Sequence, residues 1–160
     1  MNKIPSFMIN HLTLLRGVYV SRQDRVGSEV LTTFDIRMKE PNREPVMDIA
    51  ALHTIEHLGA TFLRNDPNWK DKIIYFGPMG CRTGNYLVMA GDLTSENVLP
   101  LITEMYRFMA DFSEDIPGAA ARDCGNWLNH DLPMARWESK KFLHEVLKKI
   151  QPENVNYPQD

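Results

Sequence analysis

The chain has 160 residues, of which 43% are hydrophobic and 24% are charged, as is typical of a globular protein with one core. The formal net charge is −3 and the basic residues form no large cluster, so nucleic-acid binding is not expected. No apolar run reaches the roughly 18 residues that a membrane helix needs, and the first ten residues do not resemble a signal peptide. We therefore expect one domain over residues 1–160 that works in the cytoplasm, with no nucleic-acid or membrane partner.

Two segments near the start of the chain predict a β-hairpin. Residues 16–22 and 29–39 flank a turn that contains a glycine. Within the second segment, alternation places Phe34 and Ile36 on an apolar face and Asp35 and Arg37 on a face that becomes polar toward its end. Residues 72–76 and 85–93 predict two more strands, which a glycine-rich loop connects.

Helix caps and apolar periodicity predict three helices. Asp48 and Thr94 are suitable N-caps for the first two, and the predicted helices cover residues 48–64, 95–112 and the region from about 133 onward. Residues 151–160 predict a frayed tail. Strands in hairpins and helices without a βαβ rhythm indicate an α+β fold, in which an antiparallel sheet of about four strands has helices packed on one face.

The stretch "LHTIEHL" (52–58) places His53 and His57 one helical turn apart, with Glu56 between them. On a helix these three side chains fall within an arc of about 100°. Because the rest of the helix surface is apolar, we expect this arc to point at an interior site. Two imidazoles at this spacing can bind a divalent transition ion, and the carboxylate is placed for proton transfer. Core histidines bonded to backbone carbonyls are the structural alternative.

A catalytic metal site with three protein ligands needs one further donor. The candidates are Cys124, Cys81, His130, Asp131, His11 and several carboxylates. Cys124 precedes a glycine in an irregular segment, where the backbone can approach a metal. Cys81 is followed by Arg82, and a neighbouring cation favours a reactive thiolate. From the residues alone, either cysteine could be the metal ligand or the acid–base group.

The histidine motif is compatible with more than one class of protein. H-x-x-E-H is the inverted zincin motif, in which the glutamate acts as general base in peptide hydrolysis. A small metallopeptidase and a non-catalytic metal-binding protein are therefore both alternatives to another metal-dependent enzyme.

Several separate motifs together resemble the S-ribosylhomocysteine lyase family, the LuxS type. They are "SFMINH" (6–11), "TFDIRM" (33–38), "LHTIEHL" (52–58), "PMGCRTG" (78–84) and "CGNWLNHDLPMA" (124–135). The resemblance runs from residue 6 to about residue 137. It implies an α+β homodimer with two sites at the subunit interface.

The resemblance also implies a reaction and a cofactor. The family cleaves the thioether of S-ribosylhomocysteine by carbonyl migrations and β-elimination, which gives homocysteine and 4,5-dihydroxy-2,3-pentanedione, the precursor of autoinducer-2. The implied cofactor is one iron(II) per subunit, with zinc or cobalt as substitutes, bound by His53, His57 and Cys124. Cys81 and Glu56 are implied to transfer protons.

Three further residues match family positions that contact the substrate, namely Ser6, His11 and Arg37. His130 and Asp131 also match a family motif, but "HDLP" reads equally well as a cap before Pro133, and we expect a structural role for both.

The chain departs from the family pattern at three positions. Gly77 replaces the usual serine and Asn85 a common aromatic residue. Gly59 lies in the middle of a helix. All three flank the expected ligands and leave the expected reaction unchanged.

Overall fold

The structure is a computed structural model, and it describes residues 2, 4 and 7–159. The described residues form four strands: β1 (Gly17–Val26), β2 (Glu29–Arg37), β3 (Ile73–Pro78) and β4 (Gly84–Ala90). They also form three α-helices: α1 (Ile49–Asn65), α2 (Ser95–Asp111) and α3 (Leu132–Glu145). Over this part of the chain, no helix combines the length and the apolar character that crossing a membrane requires.

The four strands make one antiparallel sheet in the order β1-β2-β4-β3. Two hairpins, β1–β2 and β3–β4, are joined where β2 pairs with β4. In this register Asp35 lies opposite Tyr19 on one side and Tyr86 on the other. The predicted α+β fold with a four-stranded antiparallel sheet is confirmed.

The two faces of the sheet have different surroundings. Phe34, Ile36 and Leu87 point into the core that the helices cover, and all three are fully buried. Asp35 and Arg37 extend from the opposite face, as alternation along β2 predicts. They are nevertheless only 1% and 3% exposed, so the polar end of this face is covered rather than solvated.

Residues 151–159 help to cover that face and are not frayed, contrary to expectation. Pro152–Asn154 form a 3₁₀ turn, and the Asn154 amide donates a hydrogen bond to the Arg16 carbonyl at 2.8 Å. The Tyr157 ring stacks on the Tyr19 ring with a centroid distance of 4.7 Å. The polar composition of the segment suggested a solvated end, whereas its tyrosine finds a stacking partner on β1.

Gly59 lies in the middle of α1, where glycine costs about 1 kcal/mol relative to alanine. A Cβ atom at this position would overlap the ring of Phe76 on β3. The missing side chain therefore allows the helix to approach the sheet closely, and this contact accounts for the glycine.

We expect Gly59→Ala to lower the free energy of unfolding by about 1–2 kcal/mol, because overpacking against Phe76 outweighs the gain in helix propensity. Urea denaturation followed by circular dichroism measures this change. Ala60→Gly is the matched control, since it reports helix propensity at the next position. A more stable Gly59→Ala protein would contradict the packing explanation.

Candidate functional site

Helix α1 begins at a well-formed cap. The Asp48 carboxylate accepts hydrogen bonds from the backbone N–H groups of Ala50 and Ala51, at 2.8 and 3.3 Å. Satisfying these free N–H groups fixes the first turn of the helix. His53 and His57 follow on the next two turns, so the cap sets their position over the rest of the fold.

Both helix histidines are held by backbone carbonyls from the irregular segment that precedes α3. His53 donates from Nδ1 to the Asn129 carbonyl at 2.8 Å, and His57 donates from Nδ1 to the Pro117 carbonyl at 2.7 Å. With the proton on Nδ1, each ring keeps a lone pair on Nε2. This arrangement, in which one nitrogen donates and the other is free, is typical of histidines that bind metals.

Cys124 lies on the irregular segment between those two carbonyls. Its Sγ atom is 3.4 Å from Nε2 of His53 and accepts a hydrogen bond from the backbone N–H of Asn126. Cys124 and Cys81 are both within the described part of the chain and are not joined in a disulfide. The structure therefore brings Cys124, rather than Cys81, to the helix histidines.

His130, for which we expected a structural role, also lies beside the helix histidines. Its ring stacks on His53 with a centroid distance of 4.2 Å. The Thr54 hydroxyl donates to the Ala50 carbonyl and contacts Nδ1 of His130 at 3.1 Å, so the proton in that second contact comes from the imidazole. The second nitrogen, Nε2, is buried without a hydrogen-bond partner among the described residues.

Burial, and then the neighbouring His53 and His57, lower the pKa of His130, which keeps this imidazole neutral. Two sequence signals pointed toward this position: His130 follows Cys124 by six residues, and it lies in the motif "CGNWLNHDLPMA". The companion residue, Asp131, has the expected structural role, because its carboxylate caps α3 by accepting from the Met134 N–H.

Together these residues form what we call the histidine–cysteine cluster: His53, His57, Cys124 and His130. One donor atom from each lies within 4.8 Å of the others. Imidazole nitrogens with one thiolate are the donor set that iron(II), zinc and cobalt accept. The unpartnered Nε2 of His130 also fits a site whose chemistry needs a ligand or a proton acceptor. The cluster is thus suited to hold a divalent transition ion.

Glu56 lies beside this cluster at a cleft. With His57, Pro117 and Gly118 it lines a space of about 340 Å³. A carboxylate at the wall of an open cleft can exchange protons with a bound molecule. Glu56 and His57 therefore line the same cleft, and the catalytic role of Glu56 stays a prediction.

Cys81 belongs to a second polar group, on the loop between β3 and β4. Its sulfur is exposed and lies 3.0 Å from the Thr83 hydroxyl and 3.8 Å from Nη1 of Arg37. Burial alone would lower the pKa of Arg37, but the charge and hydrogen bonds of Asp35 raise it, so the guanidinium remains a cation beside the thiol.

The remaining predicted site residues are at the start of the chain. Ser6 lies outside the described residues. His11 is half-buried and donates from Nδ1 to the Ile9 carbonyl at 2.8 Å. Its role in binding substrate stays a prediction.

Comparison with known proteins decides the family. The S-ribosylhomocysteinase (LuxS) family matches residues 4–153. The S-ribosylhomocysteine lyase of Phocaeicola vulgatus is 65% identical over 158 residues, covering 99% of this chain and 98% of that protein. Those of Porphyromonas gingivalis W83 and Clostridium beijerinckii are each 60% identical over 158 residues, covering 99% of both chains.

The chain belongs to the LuxS family. Its members are S-ribosylhomocysteinases, which supports neither the metallopeptidase nor the non-catalytic alternative. Two of the departures from the family pattern now have a location. Asn85 is fully buried and donates to the Met38 sulfur at 3.6 Å, within the core. Gly77 packs against the hydroxyl of the exposed Tyr75 side chain, which would have to shift to make room for a Cβ atom there.

The position of Cys124 predicts a spectroscopic result. Cobalt(II)-loaded protein should show a thiolate-to-cobalt charge-transfer absorption, because one sulfur lies among the imidazole nitrogens. Cys124→Ser should lose this absorption, and the matched variant Cys81→Ser should keep it. The opposite pattern would mean that Cys81 is the ligand.

Proposed function

We propose that this protein is an S-ribosylhomocysteine lyase. It would cleave the thioether of S-ribosylhomocysteine and release homocysteine and 4,5-dihydroxy-2,3-pentanedione, the precursor of autoinducer-2. The observation that carries the proposal is the histidine–cysteine cluster with Glu56 beside it, in a chain of the LuxS family.

The proposed cofactor is one iron(II) per subunit, with zinc or cobalt as substitutes. His53, His57 and Cys124 are its proposed ligands, and two hydrogen-bonded imidazoles next to a thiol support this choice. When bound, such an ion polarises carbonyl and hydroxyl oxygens of the sugar. His130 lies close enough to act at the same centre.

Glu56 and Cys81 are the proposed acid–base groups. Removing a proton from C2 and adding one to C1 moves the carbonyl from C1 to C2. The same exchange between C3 and C2 then moves the carbonyl to C3. Removing the C4 proton then breaks the bond between C5 and sulfur. The electron pair of that bond leaves with homocysteine as a thiolate. No water is consumed, so the reaction is an elimination.

Ser6, His11 and Arg37 are the proposed substrate contacts. Arg37 is almost completely buried, and its Nη1 atom approaches the exposed Cys81 sulfur. Arg37 would therefore contact the part of the substrate that lies next to Cys81.

We propose further that the active unit is a homodimer with its sites at the subunit interface. The histidine–cysteine cluster lies in the helix layer, which packs on the sheet face formed by Phe34 and Ile36. Arg37, which contacts Cys81, extends from the opposite face of the same sheet. Because Glu56 and Cys81 must reach one sugar, the cluster of one subunit would work with Cys81 of a second copy.

The cytoplasm is the proposed location. Cys124 as a metal ligand and Cys81 as an acid–base group must both stay out of disulfides. A reducing compartment keeps thiols unpaired.

Glu56→Gln tests the proposed chemistry. We expect this variant to bind cobalt(II) as the wild type does but to release homocysteine about 10²- to 10⁴-fold more slowly, because the amide cannot transfer a proton. A thiol reagent measures homocysteine released from S-ribosylhomocysteine. Thr61→Ala, on the wall of the same cleft, is the control. Peptide cleavage by wild type without thiol release would instead favour a metallopeptidase.

Mixing two inactive variants tests the shared site. Cys81→Ala and Glu56→Gln, unfolded and refolded together, should recover about a quarter of the wild-type activity, because half of the dimers are mixed and each has one intact site. Each variant refolded alone is the control. If the mixture stays inactive while mixed dimers form, Cys81 and Glu56 of the same subunit make the site.

A further inference from the structure

The 151–159 segment docks on β1 with little room to spare. A Cβ atom on Gly17 would overlap the backbone carbonyl of Asn154. The Tyr19 hydroxyl donates to the Glu153 carbonyl at 3.0 Å, and the Tyr157 ring lies nearly parallel to Tyr19, at an angle of 13°. Backbone, aromatic and polar contacts therefore hold the segment in one register against the sheet.

Tyr157 reaches from this segment to a buried carboxylate. Its hydroxyl donates to Oδ2 of Asp35 at 2.9 Å. Burial, and then the charge of Asp35, raise the pKa of Tyr157, so the phenol keeps the proton that it donates.

Asp35 in turn holds Arg37 in a two-point contact. Nε of Arg37 donates to Oδ1 at 3.0 Å, and Nη2 donates to Oδ2 at 2.6 Å. Paired parallel bonds of this kind fix the plane of a guanidinium as well as its distance. The free edge of the guanidinium then points away from Asp35 toward the loop that carries Cys81.

Two hydrogen-bond donors meet at the Cys81 sulfur. Nη1 of Arg37 lies 3.8 Å from the sulfur and donates to the Thr83 oxygen at 2.6 Å. Because that oxygen accepts from Arg37, the hydroxyl hydrogen of Thr83 is free to donate to the sulfur, 3.0 Å away. Hydrogen bonds from a cation and a hydroxyl stabilise negative charge on sulfur.

We propose that Tyr157 is a positioning residue for Cys81. Through Asp35 it holds the Arg37 guanidinium in place, so that Arg37 and the Thr83 hydroxyl both donate to the Cys81 sulfur and keep it reactive. The inference rests on the proposed function only in one respect, namely that the Cys81 thiol transfers protons. The reactivity of the sulfur itself can be measured without turnover.

The test is the alkylation rate of Cys81 by iodoacetamide at neutral pH, followed by mass spectrometry of the peptide that contains Cys81. In cobalt(II)-loaded Tyr157→Phe, we expect this rate to fall about threefold to tenfold, because a hydrogen bond to the Asp35 carboxylate is lost while the stacked ring remains. The kcat for homocysteine release should fall in parallel with little change in KM. Asn156→Ala, in the same segment but with a local bond to Pro152, is the matched control.

A second pair of variants tests the other end of the chain of contacts. Thr83→Val should slow Cys81 alkylation about tenfold, since the hydroxyl is lost, and Thr83→Ser should restore most of the rate. An unchanged alkylation rate in folded Tyr157→Phe would overturn the proposal, as would equal rates for Thr83→Val and wild type.

These outcomes are distinct from failure of the lyase proposal. If wild-type protein released no homocysteine but Tyr157→Phe still slowed alkylation, the proposed function would be wrong and the role of Tyr157 would stand.

Discussion

The site depends on two hydrogen bonds that connect a regular helix to an irregular segment. The Nδ1 atoms of His53 and His57 donate to the carbonyls of Asn129 and Pro117. These bonds orient the imidazoles and also secure both ends of the stretch that carries Cys124. Since that stretch has no repeating backbone hydrogen bonds of its own, the histidines both form the cluster and hold the segment that completes it.

The sheet separates the two groups of polar residues. On one side, helices bury an apolar core and support the histidine–cysteine cluster; on the other, Asp35 and Arg37 form a buried ion pair. An ion pair with both partners almost fully buried needs further hydrogen bonds to offset its desolvation. Tyr157 and Thr83 supply them. The contacts that offset the desolvation of the ion pair therefore also hold Arg37 and Thr83 next to Cys81.

Patterns that are local in the sequence predicted the structure well. Alternation along β2 identified its two faces, the caps located all three helices, and the spacing of His53, Glu56 and His57 placed them on one arc. Contacts between distant residues could not be found in this way. His130 was assigned a structural role because "HDLP" reads equally well as a helix cap, and the choice between the two cysteines needed the path of the segment before α3. The docking of residues 151–159 depends on a stacking partner on β1, which composition does not reveal.

The docking of Tyr157 has a consequence for synthesis on the ribosome. Synthesis proceeds from the N-terminus, so β1 and β2 are translated long before residues 151–159. The hydrogen bond to Asp35 forms only after Tyr157, which is added 122 residues later, has been translated. Before Tyr157 is added, the Asp35 carboxylate lacks one of the hydrogen bonds that it accepts in the complete fold. A chain that ends before Tyr157 lacks this hydrogen bond and, with it, part of the support that holds Arg37 beside the Cys81 thiol.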